Sequence, residues 1–198
     1  MKWRFGLSVL AAVTMFSGVS MGIGSAAMIS LNGLKSEALS ITQMPSGWTT
    51  HHPTYDVRMG CLTNLLEPKG VKETHFVEVY FLGRGDLPVL VETLTTYSNA
   101  QVAYQRITKN IASCKKVAGN LKGYAVTGTV RPMASPHYGN ASVVYLLTIS
   151  GTHLTFKADY AIVRKGNVVV AVLEGTYPSV NTLQFRKFVA AAVAKVKK

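Results

Sequence analysis

Groups able to bind metal, attack a carbonyl or move a proton are sparse in this chain, which has five histidines, two cysteines and nine acidic residues among 198. His51 and His52, with His75 further along, are three imidazoles of the kind that hold zinc. Adjacent histidines in an extended segment point in opposite directions, and no carboxylate is placed among them by a recognised ligand spacing. A surface loop is the expectation there, with no metal. A hydrolase requires a nucleophile, a base and an acid that orients the base. Serines are plentiful, but G-x-S-x-G is absent, and Asp56, Asp86 and Asp159 have no histidine at an informative spacing. Gly83-Arg84-Gly85-Asp86 lacks the lysine and helix that complete a phosphate-cradling loop. Its Arg-Gly-Asp matches an adhesion tripeptide, but a glycine there is what a hairpin turn needs, so a plain turn is expected. No catalytic residue and no cofactor follow from these residues, and the expectation is a protein that is not an enzyme.

Cys61 and Cys114 are the only cysteines, and their chemistry depends on compartment. Lys2 and Arg4 precede an apolar run from Phe5 to Ile23, then Gly24, Ser25, Ala26 and Ala27. A positive start, an apolar middle and a small-residue exit read as a secretory signal peptide over residues 1–27, cut before Met28. The run approaches the ~20 residues that span a bilayer, so an uncleaved anchor is the alternative and the one route to membrane contact. No cysteine lies at the exit to carry a lipid. Two cysteines in an oxidising compartment most often pair, so a Cys61–Cys114 disulfide is expected ahead of a metal site or a reactive thiol.

Residues 28–198 suffice for one domain with its own core. Loss of Lys2 and Arg4 lowers the net charge from +12 to +10. Such a surplus attracts anions, and outside the cytoplasm acidic polysaccharide or anionic lipid suits it better than nucleic acid, for which no recognition-helix pattern exists. Arg106, Lys109, Lys115 and Lys116 are the residues that would make an anionic-polymer site on a basic helix; a solvated surface is the plainer reading. Asn140-Ala141-Ser142 fits the N-glycosylation pattern, which matters only in a glycosylating host.

These side chains must be positioned by elements that the hydropathy pattern outlines. Residues 28–43 form a helix or a tether, with Leu31, Leu34, Ala38 and Leu39 at helical spacing. Met44-Pro45-Ser46-Gly47-Trp48 reads as a turn ending in a buried aromatic. Thr49 to Gly70 reads as loop with one short helix near Cys61. From Glu73 alternation becomes clean, with Phe76, Glu78, Tyr80 and Leu82 on one side and His75, Val77, Val79 and Phe81 on the other. The GRGD turn and Leu87 to Tyr97 complete a hairpin. Ser98, with Gln101 as its capping-box partner, opens a helix whose stripe runs Ala100, Ala103, Tyr104, Ile107, Ile111, Cys114 and Ala118. Strands follow at Tyr124 to Pro132, Ala141 to Ser150, Thr152 to Arg164 and Val168 to Thr176. In the third of these, Leu154, Phe156, Ala158, Tyr160 and Ile162 share one face. His153, Thr155, Lys157 and Asp159 make the other polar, a side expected to meet solvent or ligand. A closing helix buries Leu183, Phe185, Phe188, Val189, Ala192 and Val196, with Lys195, Lys197 and Lys198 at its C-terminal end. Short connections favour antiparallel neighbours, so the fold class is α+β: a twisted, largely antiparallel sheet packed on one face by these two helices, with one disulfide.

The M-P-S-G-W turn, the early Cys61, the Thr96-Tyr97-Ser98-Asn99-Ala100 entry into a helix carrying Cys114, the V-V-V-A-V strand at Val168 to Val172 and the closing amphipathic helix form a recognisable pattern. On these features the chain resembles the PknH-like extracellular sensor domains of actinobacteria, over nearly all of residues 44–198. The resemblance implies a single sensor-type domain with a groove for an envelope ligand, and no catalytic residues. It differs from the kinase-borne form, which carries two disulfides where this chain can make one. The expectation is a secreted, non-catalytic binding or sensor-type domain of the bacterial cell envelope whose partner is a lipid, glycan or protein. The rival readings are a structural or protein-interaction role without a small ligand and, behind it, a hydrolase lacking the usual motifs. No ligand-binding residue is singled out by the sequence.

Overall fold

The structure is a computed structural model that describes residues 29–50, 57–58, 60–121, 124–134, 136–151 and 155–197. The export segment and its cut, His51, His52, Asp56 and His153 lie outside the described residues. In chain order the elements are α1 (Leu31–Glu37), β1 (Thr49–Thr50), β2 (Val57–Arg58), β3 (Glu73–Leu82), β4 (Val89–Tyr97), α2 (Ala100–Ser113), β5 (Lys116–Leu121), β6 (Tyr124–Met133), β7 (Ala141–Ser150), β8 (Thr155–Lys165), β9 (Val168–Thr176) and α3 (Thr182–Lys195). The strands form one nine-stranded sheet, β1-β3-β4-β9-β8-β7-β6-β5-β2, in which every neighbouring pair is antiparallel. The expected class, α+β with an antiparallel sheet and one disulfide, is what the chain adopts.

Because successive side chains in a strand point to opposite faces, the sheet carries two cores. Val168, Val170 and Val172 of β9 join Ala161 and Val163 of β8, Leu90 and Leu94 of β4, and Val77 and Phe81 of β3 in packing against Leu34 of α1 and Phe185, Phe188 and Val189 of α3. The alternate residues, Val169 of β9 and Ala158 and Ile162 of β8, pack with Tyr145 and Leu147 of β7 against Ala103, Ile107 and Ile111 of α2. One face thus carries two helices, but they are α1 and α3. The helix expected beside α3, α2, covers the opposite face. A strand such as Val168–Val172 is apolar on both sides and buried on both, so its sequence does not say which side a given helix takes.

Local signals account for most boundaries. The Asn99 side chain accepts a hydrogen bond from the Val102 amide at 3.0 Å, so Asn99 caps α2 where Ser98 was expected. The helix stops at Ser113, and residues 116–121 leave it as β5, paired with β6 in antiparallel register. Ala118 is therefore exposed on a strand and does not extend the helical stripe. In α3 the buried residues are Phe185, Phe188, Val189, Ala192 and Val193; Leu183 lies about 200° around the helix from Phe185 and is 67% exposed. Val196, just past the helix, is buried. Trp48 packs edge-on against Phe188 with ring centroids 5.5 Å apart, which seats the Met44 to Trp48 turn on the α1/α3 core.

Candidate functional site

On the α2 face, the part of the sheet that α2 leaves uncovered is the floor of a half-open groove of about 440 Å³. Register sets the floor in rows: Glu78 of β3 stands opposite Thr93 of β4, which stands opposite Ala171 of β9. One row along, Val91 faces Leu173, and Leu173 faces Tyr160 of β8. Leu147 and Phe76 extend the apolar surface, and Leu62, Leu65 and Leu66 form a wall. This volume lies in the range of small-molecule sites.

The wall starts in a 3-10 turn at Gly60–Leu62, the short helix expected near Cys61, and continues as tight turns whose backbone bonds are all local, so other contacts must hold it to the rest of the fold. The Cys61–Cys114 disulfide joins its start to the C-terminal end of α2, with Cα atoms 5.7 Å apart. The Tyr97 hydroxyl donates to the Leu66 carbonyl, and the Arg106 guanidinium of α2 donates to the Lys69 carbonyl. The Ser98 amide donates to the Lys72 carbonyl at 2.8 Å. Burial pushes the Tyr97 phenol up to about 12, so the hydroxyl stays a donor across the physiological range.

Electrostatically the groove runs against the rest of the molecule. Its charged lining residues are Glu67, Glu73 and Glu78, three of only nine acidic residues in the chain, and no lysine or arginine is among its described lining residues. The Glu73 carboxyl is held above its usual value by partial burial and by the neighbouring Glu67 charge. In the floor, Thr93 is 6% exposed and its hydroxyl has no hydrogen-bond partner among the described residues. Burial also holds the Tyr160 phenol well above its ordinary value, with Tyr97 and Glu78 adding to the shift. The surface can hold an apolar body and offer acceptors to a polar head; among the described residues it brings together no nucleophile with a base and an orienting acid.

Buried carboxyls also occur on the opposite face. Asp159 and Glu174 are register partners beneath the first turn of α3, where Thr182 Oγ1 donates to Asp159 Oδ2 at 2.8 Å and Gln184 Nε2 donates to Glu174 Oε1 at 2.9 Å. Asp159, expected on a face open to solvent or ligand, is 1% exposed because α3 covers it. Glu92 lies under the α1 segment and accepts from the Leu39 amide at 2.6 Å. All three serve to join helices to the sheet.

Other residues noted in the sequence have structural roles. Arg84, Gly85 and Asp86 form the tip of the β3–β4 hairpin, with Gly85 at φ 68°, and Arg84 lies against Gly47 of the neighbouring turn. Asn140 Oδ1 accepts from the Gly166 amide at 2.7 Å and fixes the β8–β9 turn. Arg106 is engaged in holding the groove wall, while Lys115 and Lys116 fall beyond α2. The groove itself went unassigned from sequence, although one signal was present. Glu78 stands between Phe76 and Tyr80 on the face of β3 that turns out to line it.

No family model and no curated protein matches the chain. Among solved structures, the crystal structure of the extracellular domain of PknH from Mycobacterium tuberculosis superposes with a TM-score of 0.62 at 16% sequence identity, over 85% of this chain and 98% of that one. An X-ray structure of an Rv0999 ortholog from Mycobacterium smegmatis gives 0.49 at 16% identity, over 78% and 92%. The fold of this chain is that of the PknH extracellular domain.

Proposed function

We propose that this protein is a non-catalytic, sensor-type binding domain of the cell envelope that takes an amphiphilic ligand in the groove between the Leu62 to Leu66 wall and the floor of β3, β4 and β9. The observation that carries the reading is the groove's composition: a largely apolar lining with a few polar groups set into it, namely three glutamates and a Thr93 hydroxyl that has no partner among the described residues. Most small-molecule sites combine an apolar lining with a few such polar groups. The disulfide and the likeness to an extracellular domain support a location outside the cytoplasm. Among the described residues no helix is long and apolar enough to cross a membrane.

Native mass spectrometry on protein isolated gently from its own envelope tests this. A discrete added mass that disappears on denaturation is expected. A bare chain that instead emerges in a stable complex with another protein would favour a protein-interaction role.

A further inference from the structure

The groove reading leaves open what kind of amphiphile fits, and the charges around the groove decide it. The full sequence carries a formal charge of +12, yet the charged residues among the described lining of this groove are all acidic. None of the three glutamate side chains is hydrogen-bonded or ion-paired among the described residues, so their oxygens remain open to a ligand. Thr93 stands opposite Glu78 in register, so a carboxylate and a buried hydroxyl that has no partner among the described residues line the same stretch of the groove. Phe76 lies on the same face two residues before Glu78 and is 40% exposed, so it offers an aromatic surface at the same end. A carboxylate, a hydroxyl acceptor and an aromatic ring are the groups that together recognise an organic ammonium, through charge-assisted hydrogen bonds and cation–π contact.

Resting on the groove reading, we propose that the ligand is a cationic amphiphile: a protonated amine on an apolar body, with its head among Glu67, Glu73, Glu78 and Thr93 and its body along Val91 and Leu173. The apolar body supplies burial while the carboxylates select its charge. An ammonium between Glu67 and Glu73 also relieves the repulsion of two like charges in a partly dry site.

Calorimetric titration at pH 8 with decylammonium, decanol and decanoate, all below their aggregation concentrations, tests the choice of charge. Decylammonium should bind one-to-one and about tenfold or more tighter than decanol, the gain of one good charge-assisted hydrogen bond. Decanoate should be the weakest, although the overall charge of the protein favours it. The double variant Glu67→Gln/Glu78→Gln should lower decylammonium affinity toward that of decanol. Leu173→Trp, which places an indole in the groove, should weaken all three ligands, and thermal unfolding checks that both variants fold. Equal binding of ammonium and alcohol, both lost in Leu173→Trp, would overturn the cationic inference and leave the groove reading standing. Tighter decanoate binding would overturn it as well. Binding that Leu173→Trp does not change would sink both.

Discussion

Replacing Cys61 and Cys114 together by alanine is expected to lower the stability of the domain by about 4 kcal/mol, the loop-closure entropy of a 53-residue span. In a domain of this size that corresponds to a fall in Tm of roughly 8–16 °C. Alanine is the right replacement at position 114, because Cys114 is 3% exposed and a serine would bury a hydroxyl as well. The loss should reach the groove. Its wall follows Cys61 directly, and without the disulfide it is held mainly by the Tyr97 and Arg106 contacts to the Leu66 and Lys69 carbonyls. Hydrogen exchange in residues 62–66 should therefore rise more than exchange in β8 and β9. Chemical denaturation gives the stability change, and a loss below about 1 kcal/mol would mean that the disulfide adds little to a wall already fixed by packing.

The second large effect is a dependence on pH. Burial raises the Glu92 carboxyl from 4.5 to about 7, against the opposing pull of the Leu39 amide and the Lys195 charge. Burial also raises Glu174 to about 7, with Gln184 lowering it and Asp159 raising it further. A carboxyl with a raised folded pKa holds its proton in the folded state over a range where the unfolded chain has released it. Stability from these groups is therefore fully present below about 4.5 and is lost as pH rises to about 7, after which the curve is flat. For Glu92 the span is on the order of 3 kcal/mol. Glu92→Gln keeps an oxygen for the Leu39 amide but cannot ionise. The variant should match wild type near pH 4.5 and exceed it at pH 8, as read by urea unfolding at each pH. This difference isolates Glu92 from the histidines and from the overall positive charge. A variant no more stable than wild type at pH 8 would show that Glu92 is solvated or fully paired in the folded state.

The regular part of the fold was legible in the sequence because it is written in local periodicity. The alternation of residues 73–82 and the turn at Lys165 to Asn167 appear where the pattern places them, and the limits of β3, β7 and β9 coincide with the expected strands; β8, expected from Thr152, is described from Thr155, with 152–154 outside the described residues. β5 was not legible. Cys114 and Ala118 continue the spacing of Ile107 and Ile111, and only the pairing of residues 116–121 with β6 withdraws them from the helix. The side on which α2 packs was not legible either, since β8 and β9 offer apolar residues on both faces. The groove joins residues from β3, β4, β8 and β9 with a segment tied in by a disulfide, so no short motif contains it. Asp159 reads as a surface residue by alternation alone, and its burial depends on where α3 lands.

Whether the groove holds the ligand is tested by native mass spectra of wild type and Leu173→Trp produced in the same envelope and isolated identically. Leu173 is only half-buried at the groove, so an indole there can fill the groove without displacing the core beneath it. An added mass on wild type that is lost from the variant is expected, with the Tm of the two ligand-free proteins unchanged. The same added mass on both would place the ligand elsewhere and rule the groove out as its site.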